Sequence, residues 1–338
     1  MRKAWLPSLI LAGVIIGCGG SSDVEIASYD AAIFEPIADC RVTRMATSGG
    51  TEHIIGQAGG LAFMVTNTPR AAVGFPDQLS VAEDIVADVN SGGDIVGYDS
   101  GVVLDTPGLK GDLSSFTPNA LGFTLSDQRL RYYAISDSDL VAAILFPASG
   151  AGTVYRIGAP NTSFVNFEDL IPSYLSGIND DGKMCGTGTV KGLPHAFMTG
   201  ADANLIDLGE GTARAMNAEG VVVGKNQDSK PYYTDGGTSS NRIALPLLPG
   251  FTLGEAMDIN DSGLIVGWQQ ETEVSDPVPV AWYENGALVD LRTRINVMPA
   301  DVGLYTAVSI SNDGTILIQG RRTTGGLTQL GIILRPTP

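Results

Sequence analysis

Apolar residues along this chain come in short runs of valine, isoleucine and leucine, separated by glycine, asparagine and proline. Runs of that length between turn residues read as strands, and no stretch sustains a helical period. The segment that begins at Glu255 shows the unit. Residues 256–259 make a first strand, Asn260-Asp261-Ser262-Gly263 turns it back, and residues 264–266 return as a second strand that Gly267 ends. Asparagine suits such a turn because its side chain bonds its own backbone, and glycine accepts positive φ without a steric clash. After a loop, residues 280–283 make a third strand, and Glu284-Asn285-Gly286 turns into a fourth at 287–291. Asn-Gly between apolar runs is a strong hairpin signal.

That unit recurs. Asn-x-x-Gly with a second glycine four residues on appears at Asn90 (Gly93, Gly97), Asn179 (Gly182, Gly186), Asn217 (Gly220, Gly224) and Asn260 (Gly263, Gly267). Degenerate copies stand at Ser136 to Asp139 and Ser311 to Gly314, and a blurred one at Gly49 to Gly56. From Asn90 the anchors step by 46, 43, 38, 43 and 51 residues, a period that reads as one four-stranded blade per repeat. Blades share a core with their neighbours, so the repeat overrides the two domains that the length suggests. The expectation is an all-β, seven-bladed β-propeller of four-stranded antiparallel blades. Six or eight blades, and an open solenoid, remain alternatives because the copies at 49 and 136 are weak.

Third strands read at 61–64, 101–104, 194–198, 231–234, 279–282 and 331–334, and fourth strands end in Asp-Leu at Asp169-Leu170, Asp207-Leu208 and Asp290-Leu291. The stretch around His195-Ala196-Phe197, preceded by an Ile-Asn…Gly…Gly hairpin and followed by Leu205-Ile206-Asp207-Leu208-Gly209, resembles the HAF repeat (His-Ala-Phe) of predicted extracellular bacterial proteins. The likeness spans nearly all of residues 40–336, with the full tripeptide in one copy. It implies an exported, propeller-like repeat protein and no defined activity. The repeated aspartates imply a structural hydrogen bond in each blade.

The chain stops after a third strand, whereas an unassigned strand at 31–38 precedes the first hairpin. If that strand completes the last blade, the two ends pair in one sheet and the ring is latched, which removes exposed edges.

The N-terminus adds an address. Arg2-Lys3, an apolar run too short to span a bilayer, and Ile15-Ile16-Gly17-Cys18 have the form of an export signal, and the tetrapeptide resembles a bacterial lipobox. Residues 1–17 then form a lipoprotein signal peptide, 18–27 the lipidated Cys18 and a flexible tether, and 28–338 a single propeller domain. Glycine at 19 implies the outer membrane in a Gram-negative cell. The membrane partner is the Cys18 lipid alone, in the cell envelope. Loss of Arg2 and Lys3 takes the net charge from −17 to −19, a surface that repels nucleic acid and anionic lipid. A glycan or a protein fits it, and the protein is expected to be a monomer. Cys40 and Cys185 fall about half a ring apart and read as free, buried thiols.

The Asn-x-x-Gly turns share one face and are uniform, while the opposite face carries loops of varied length, long at 269–279 and 292–305. Variable loops on a rigid frame are where binding is built. Tyr98 and Asp99 open one such loop, and Trp268, Gln269 and Glu271 open another. These five are the candidate ligand-binding residues, with Trp268 either stacking a sugar ring or plugging its own blade. Both histidines, His53 and His195, read as structural. No Gly-x-Ser-x-Gly, His-x-x-x-His or Cys-x-x-Cys occurs, so serine-hydrolase and zinc readings have no anchor. Asp137, Asp139, Asp180 and Asp181 are calcium-type ligands outside any Asp-x-Asp-x-Asp-Gly loop, and no catalytic residue, metal or cofactor is expected. Non-catalytic binding or scaffolding is the favoured reading. The alternative is a glycan-active hydrolase or lyase, which needs two convergent loop carboxylates.

Overall fold

The computed structural model describes residues 27–34, 40–58, 61–67, 77–82, 84–99, 109–111, 128–147, 150–158, 162–167, 169–200, 203–236, 241–283, 286–324 and 328–337. Apart from one 3-10 turn at Leu291–Arg294, the regular structure within them is strand, as the apolar pattern requires. Cys18, the signal and tether calls, and the third strand expected at 101–104 lie outside the described residues.

Strand β1 (Tyr29–Phe34) precedes the first complete sheet, β2 (Arg41–Ser48), β3 (Thr51–Ala58), β4 (Leu61–Asn67) and β5 (Asp77–Ala82). Next come β6 (Asp84–Val89), β7 (Ile95–Asp99) and β8 (Leu109–Gly111), then β9 (Gln128–Ile135), β10 (Val141–Pro147), β11 (Thr153–Ile157) and β12 (Thr162–Ser163). Strands β13 (Ile171–Ile178), β14 (Met184–Val190), β15 (Leu193–Thr199), β16 (Leu205–Met216), β17 (Val222–Asn226), β18 (Pro231–Thr234) and β19 (Arg242–Ala244) join in one ladder. That ladder holds two repeats, because β16 runs on from the outer strand of one into the inner strand of the next. The crossing is made at Gly209 and Gly211, both at positive φ. The remaining strands are β20 (Leu253–Ile259), β21 (Ile265–Gln270), β22 (Val278–Trp282), β23 (Leu288–Asp290), β24 (Val302–Ile310), β25 (Ile316–Arg322) and β26 (Gln329–Pro336).

The orphan N-terminal strand does what the sequence requires of it. β1 pairs antiparallel with β26, with Ile33 opposite Ile332, in the order β1-β26-β25-β24. One expectation fails: Asp169-Leu170 is not a fourth strand. β12 takes that place, and Leu170 follows a turn in which its N–H donates to the Phe167 carbonyl.

Each apolar cluster straddles two neighbouring repeats. Met64 packs with Ile95, Val96 with Val141, Ile144 with Met184, and Met198 with Val222. Val223 packs with Val280, and Ala281 with Ile318. A further cluster joins last to first, bringing Leu317 and Ile333 against Val42, Ile54 and Phe63. Burying an isoleucine or leucine side chain of this kind contributes about 1.5–3 kcal/mol. Polar bonds follow the same seam. Gln319 Oε1 accepts from the Val42 N–H, Met45 N–H donates to Ser309 Oγ, and Arg335 makes a fork with the fully buried Glu52 at 2.6 and 2.7 Å.

The repeat signature now has a physical cause. Asn90, Asn179, Asn217 and Asn260 each accept, through Oδ1, the N–H four residues on. Their Nδ2 groups reach forward to the next turn, to the carbonyls of Ser136, Ala218, Asn260 and Ser311. One side chain closes its own hairpin and clips the neighbouring sheet. Asp139, at φ 64, takes the left-handed place that glycine holds in the better copies.

The second glycine answers a bulge. The inner strand is irregular between Val86 and Asp88, Leu175 and Gly177, Ala213 and Ala215, and Ala256 and Asp258. A Cβ on Gly224 or Gly267 would overlap the Thr212 or Glu255 carbonyl oxygen. Cys40 and Cys185 are both buried, and neither is in a disulfide. Burial pushes the Cys185 thiol up to about 12, against the opposing pull of the Ser176 hydrogen bond and Arg44.

Candidate functional site

The turn face surrounds a mouth of about 190 Å³, lined by residues such as Thr47, Ser91, Asp137, Asp180, Ala218 and Asn312. The acidic residues here are occupied by neighbouring turns. Asp137 accepts the Ser91 N–H at 2.8 Å, Asp180 the Ser138 N–H at 2.8 Å and Asp261 the Ala218 N–H at 2.8 Å. Asp139 Oδ1 accepts from Asn90 Nδ2. Among the described residues no group of three or more His, Cys, Asp or Glu could hold a metal.

Behind this mouth, Arg44 of β2 reaches three other sheets. Its Nε lies 3.1 Å from Asp88 Oδ1, Nη1 3.3 Å from Asp258 Oδ1, and Nη2 donates to the Ser176 carbonyl at 2.9 Å. Burial opposes its charge, but Asp258 and Asp88 outweigh it and hold the guanidinium protonated. The repeat places Arg44, Asp88 and Asp258 at equivalent bulge positions. That alignment was available in the sequence, yet it is visible only once the blurred first copy is set in register.

The variable-loop face holds two further constellations. A cleft of about 410 Å³ opens between the two long loops that the sequence singled out, with Asp276 and Pro277 on one wall and Ile295, Met298 and Tyr305 among the residues of the other. Arg321 covers the Tyr305 ring at 4.3 Å from its centroid, donates from Nε to the phenol oxygen at 2.6 Å, and pairs with Asp276 at 3.1 Å. Arg292 is paired with Asp290 at 2.7 Å, and Arg322 with Asp301 at 2.6 Å. The charges around the cleft are thus matched pairwise, which suits a ligand with little net charge.

The second constellation joins two adjacent inner strands. Glu255 of β20, 2% exposed, accepts from Arg214 Nε at 2.6 Å and Thr212 Oγ1 at 3.0 Å, with Lys225 Nζ at 3.3 Å. Burial alone would raise the Glu255 carboxyl. The Arg214 charge and hydrogen bond, with Lys225 and Thr212, outweigh burial and hold it below the usual carboxylate range. Trp268 stands opposite Glu255 in the ladder, with Lys225 Nζ 5.9 Å from its ring centre.

Of the sequence candidates, Trp268 is half-buried beside this ion cluster, and Glu271 is exposed at the start of the loop. Gln269 is a correction. It is fully buried, and its amide is consumed in holding the preceding linker, accepting from the Leu248 N–H at 2.7 Å and donating to the Pro246 carbonyl at 3.0 Å. Strand alternation turns it inward where its neighbours turn out. Tyr98 and Asp99 end β7, and their side chains lie outside the described residues. His195 Nδ1 lies 3.1 Å from Asp207 Oδ1, on the neighbouring strand of its own repeat rather than across to another. Asp207 and Asp290 repeat one local bond, each accepting the N–H two residues on, from Gly209 and Arg292. Arg214 and Lys225 carried no signal in the sequence, since cations on alternate strand positions read as solvated.

No family model matches the chain, and no curated protein matches it. Among solved structures, it is similar to an oligogalacturonate lyase in complex with manganese, at 12% identity and TM-score 0.54, covering 92% of this chain and 96% of that one. It is also similar to a gluconolactonase from Xanthomonas campestris (12%, TM-score 0.44, 92% and 89%). The WD40 domain of coronin from Toxoplasma gondii is another (9%, TM-score 0.45, 94% and 89%). The likeness to the lyase concerns the fold alone: with the sheets described above, the chain has an all-β fold of the propeller type, a frame used by enzymes and by binding proteins.

Proposed function

We propose that this chain is an exported, lipid-anchored propeller of seven blades whose variable-loop face binds a ligand without transforming it. The blade count is supported by hairpins at 48, 90, 136, 179, 217, 260 and 311 contributing to one central mouth. Closure of the ring is supported by the β1–β26 pairing and by the packing of Leu317 and Ile333 against Val42. The Cys18 lipobox and the resemblance to HAF repeats carry the address, the cell envelope, and the outer membrane in a Gram-negative cell.

The observation that carries the binding reading is the cleft between the two long loops. Its aromatic, apolar and charge-paired walls are already assembled, as a site for a neutral glycan or a protein segment requires. The test is a glycan array probed with the mature chain and with Tyr305→Ala, followed by product analysis of any retained glycan. Retention lost in the variant, with the glycan recovered intact, supports binding. Cleaved glycan would establish the hydrolase or lyase alternative instead, and retention unchanged in Tyr305→Ala would remove the cleft from consideration. Metabolic labelling with a radiolabelled fatty acid, compared between the full chain and Cys18→Ala, tests the anchor.

A further inference from the structure

The Arg214 cluster is assembled in a way that its own ion pairs do not exhaust. Glu255 holds the guanidinium from the side, through Nε at 2.6 Å. Among the described residues the terminal Nη1 and Nη2 make no hydrogen bond, while the Arg214 side chain is 34% exposed. A guanidinium gripped at Nε presents its two terminal nitrogens as a fork, the geometry that takes a carboxylate in two parallel bonds. Lys225 has the same surplus: its side chain is 27% exposed, and among the described residues its Nζ makes no hydrogen bond, pairing with Glu255 at 3.3 Å beside the Trp268 ring. Two cations therefore share one buried carboxylate, in a chain whose net charge is −17. A local excess of positive charge is uncommon on such a surface and is fixed in place by the fold.

We propose that Arg214, Lys225 and Trp268 form a site for a small ligand bearing a single carboxylate, a sugar acid or simple organic acid. The Arg214 fork takes the carboxylate, Lys225 adds charge, and the Trp268 ring borders the ligand's body. The same acidic surroundings set the ligand's size. They oppose a polyanion at long range, whereas one carboxylate entering the fork gains short, charge-assisted hydrogen bonds that outweigh the background. This site is separate from the cleft between the long loops, so its failure leaves that reading standing.

The test is calorimetric titration of the folded, mature chain with D-galacturonate, acetate, inorganic phosphate and neutral D-galactose. Galacturonate is expected to bind and galactose not, with at least about tenfold weaker binding in Arg214→Lys, which keeps the charge and loses the fork. Lys225→Gln leaves the Arg214–Glu255 pair intact and is expected to weaken binding about three- to tenfold in a chain that still unfolds as a single cooperative transition. Galacturonate binding tighter than acetate identifies a sugar acid as the source, and equal affinities identify a simple organic acid. Either outcome supports a carboxylate site. No carboxylate binding up to about 20 mM, preference for phosphate, or equal binding of galactose overturns the proposal, as does unchanged affinity in both variants.

Discussion

Replacing Arg44 by methionine keeps an unbranched stem in place and removes the guanidinium that ties four sheets together. The change strips Asp88 and Asp258 of the cation at 3.1 and 3.3 Å, and the Ser176 carbonyl of its donor at 2.9 Å. Removing one partner of a buried ion pair costs about 3–5 kcal/mol, because the other charge stays behind uncompensated. Here the carboxylates keep other donors. Asp88 Oδ2 accepts the Ile135 N–H, and Asp258 Oδ2 accepts Ser309 Oγ and the Ile310 N–H. The loss should therefore fall at the low end, about 3 kcal/mol. Urea unfolding followed by tryptophan fluorescence measures it as a lower midpoint at an unchanged slope. The triple variant Arg44→Met, Asp88→Asn, Asp258→Asn removes the stranded charges with the cation, and should recover at least about half the loss. A single variant within about 1 kcal/mol of wild type would refute the reasoning, and so would a triple variant no better than the single one.

Asn217→Ala removes both the acceptor for the Val221 N–H and the donor to the Asn260 carbonyl, for a loss of about 1–3 kcal/mol; Asn217→Asp keeps the acceptor and should lose less, by the same urea titration. Gly224→Ala drives a Cβ into the Thr212 carbonyl, whereas Gly250→Ala meets nothing within 4 Å and only strains φ at +88. The first should cost about 3–5 kcal/mol or prevent folding and the second about 1 kcal/mol, read as melting temperatures. Glu255, with its carboxyl held below the ordinary 4.5, contributes stability that is complete above that value and lost as pH falls through the lower folded one. Unfolding curves between about pH 7 and pH 3 should therefore show wild type converging on Glu255→Gln at the acid end. A gap that holds constant with pH would mean that the ion cluster is not the source.

Strand existence and order were largely legible because turn chemistry and period are local. Asn260 and Gly263 declare a hairpin wherever they fall, and the unpaired ends of the repeat pattern implied the β1–β26 pairing. What failed was what depends on the neighbouring sheet. Asp169-Leu170 satisfied the local pattern for a fourth strand, yet the strand forms earlier, at β12. Gln269 read as a loop-opening ligand residue beside Trp268 because the start of a loop is polar in either case; only the position of Pro246 and Leu248, 23 and 21 residues earlier, shows that its amide is spoken for. The charged groups at the inner strands were illegible for a related reason. Arg44, Arg214 and Glu255 sit in strands that read as ordinary half-polar runs, and their partners lie 30 to 44 residues away or farther.

The pairing of β1 with β26 reverses the order in which the chain can be finished. Ser28 and Thr337, 309 positions apart, bond through their hydroxyls at 2.5 Å, and the Thr337 N–H donates to the Ser28 carbonyl. β1, the first of the described strands to be synthesised, is thus among the last to find its place, after every intervening hairpin exists. Long-range pairing of this kind makes folding slow, and a chain not yet extended to β26 holds β1 without its partner strand. The same proximity means that joining residue 337 to residue 28 and cutting at a loop between sheets should yield a permuted protein. In that protein the last sheet forms from neighbours in sequence, and its folding rate should rise accordingly.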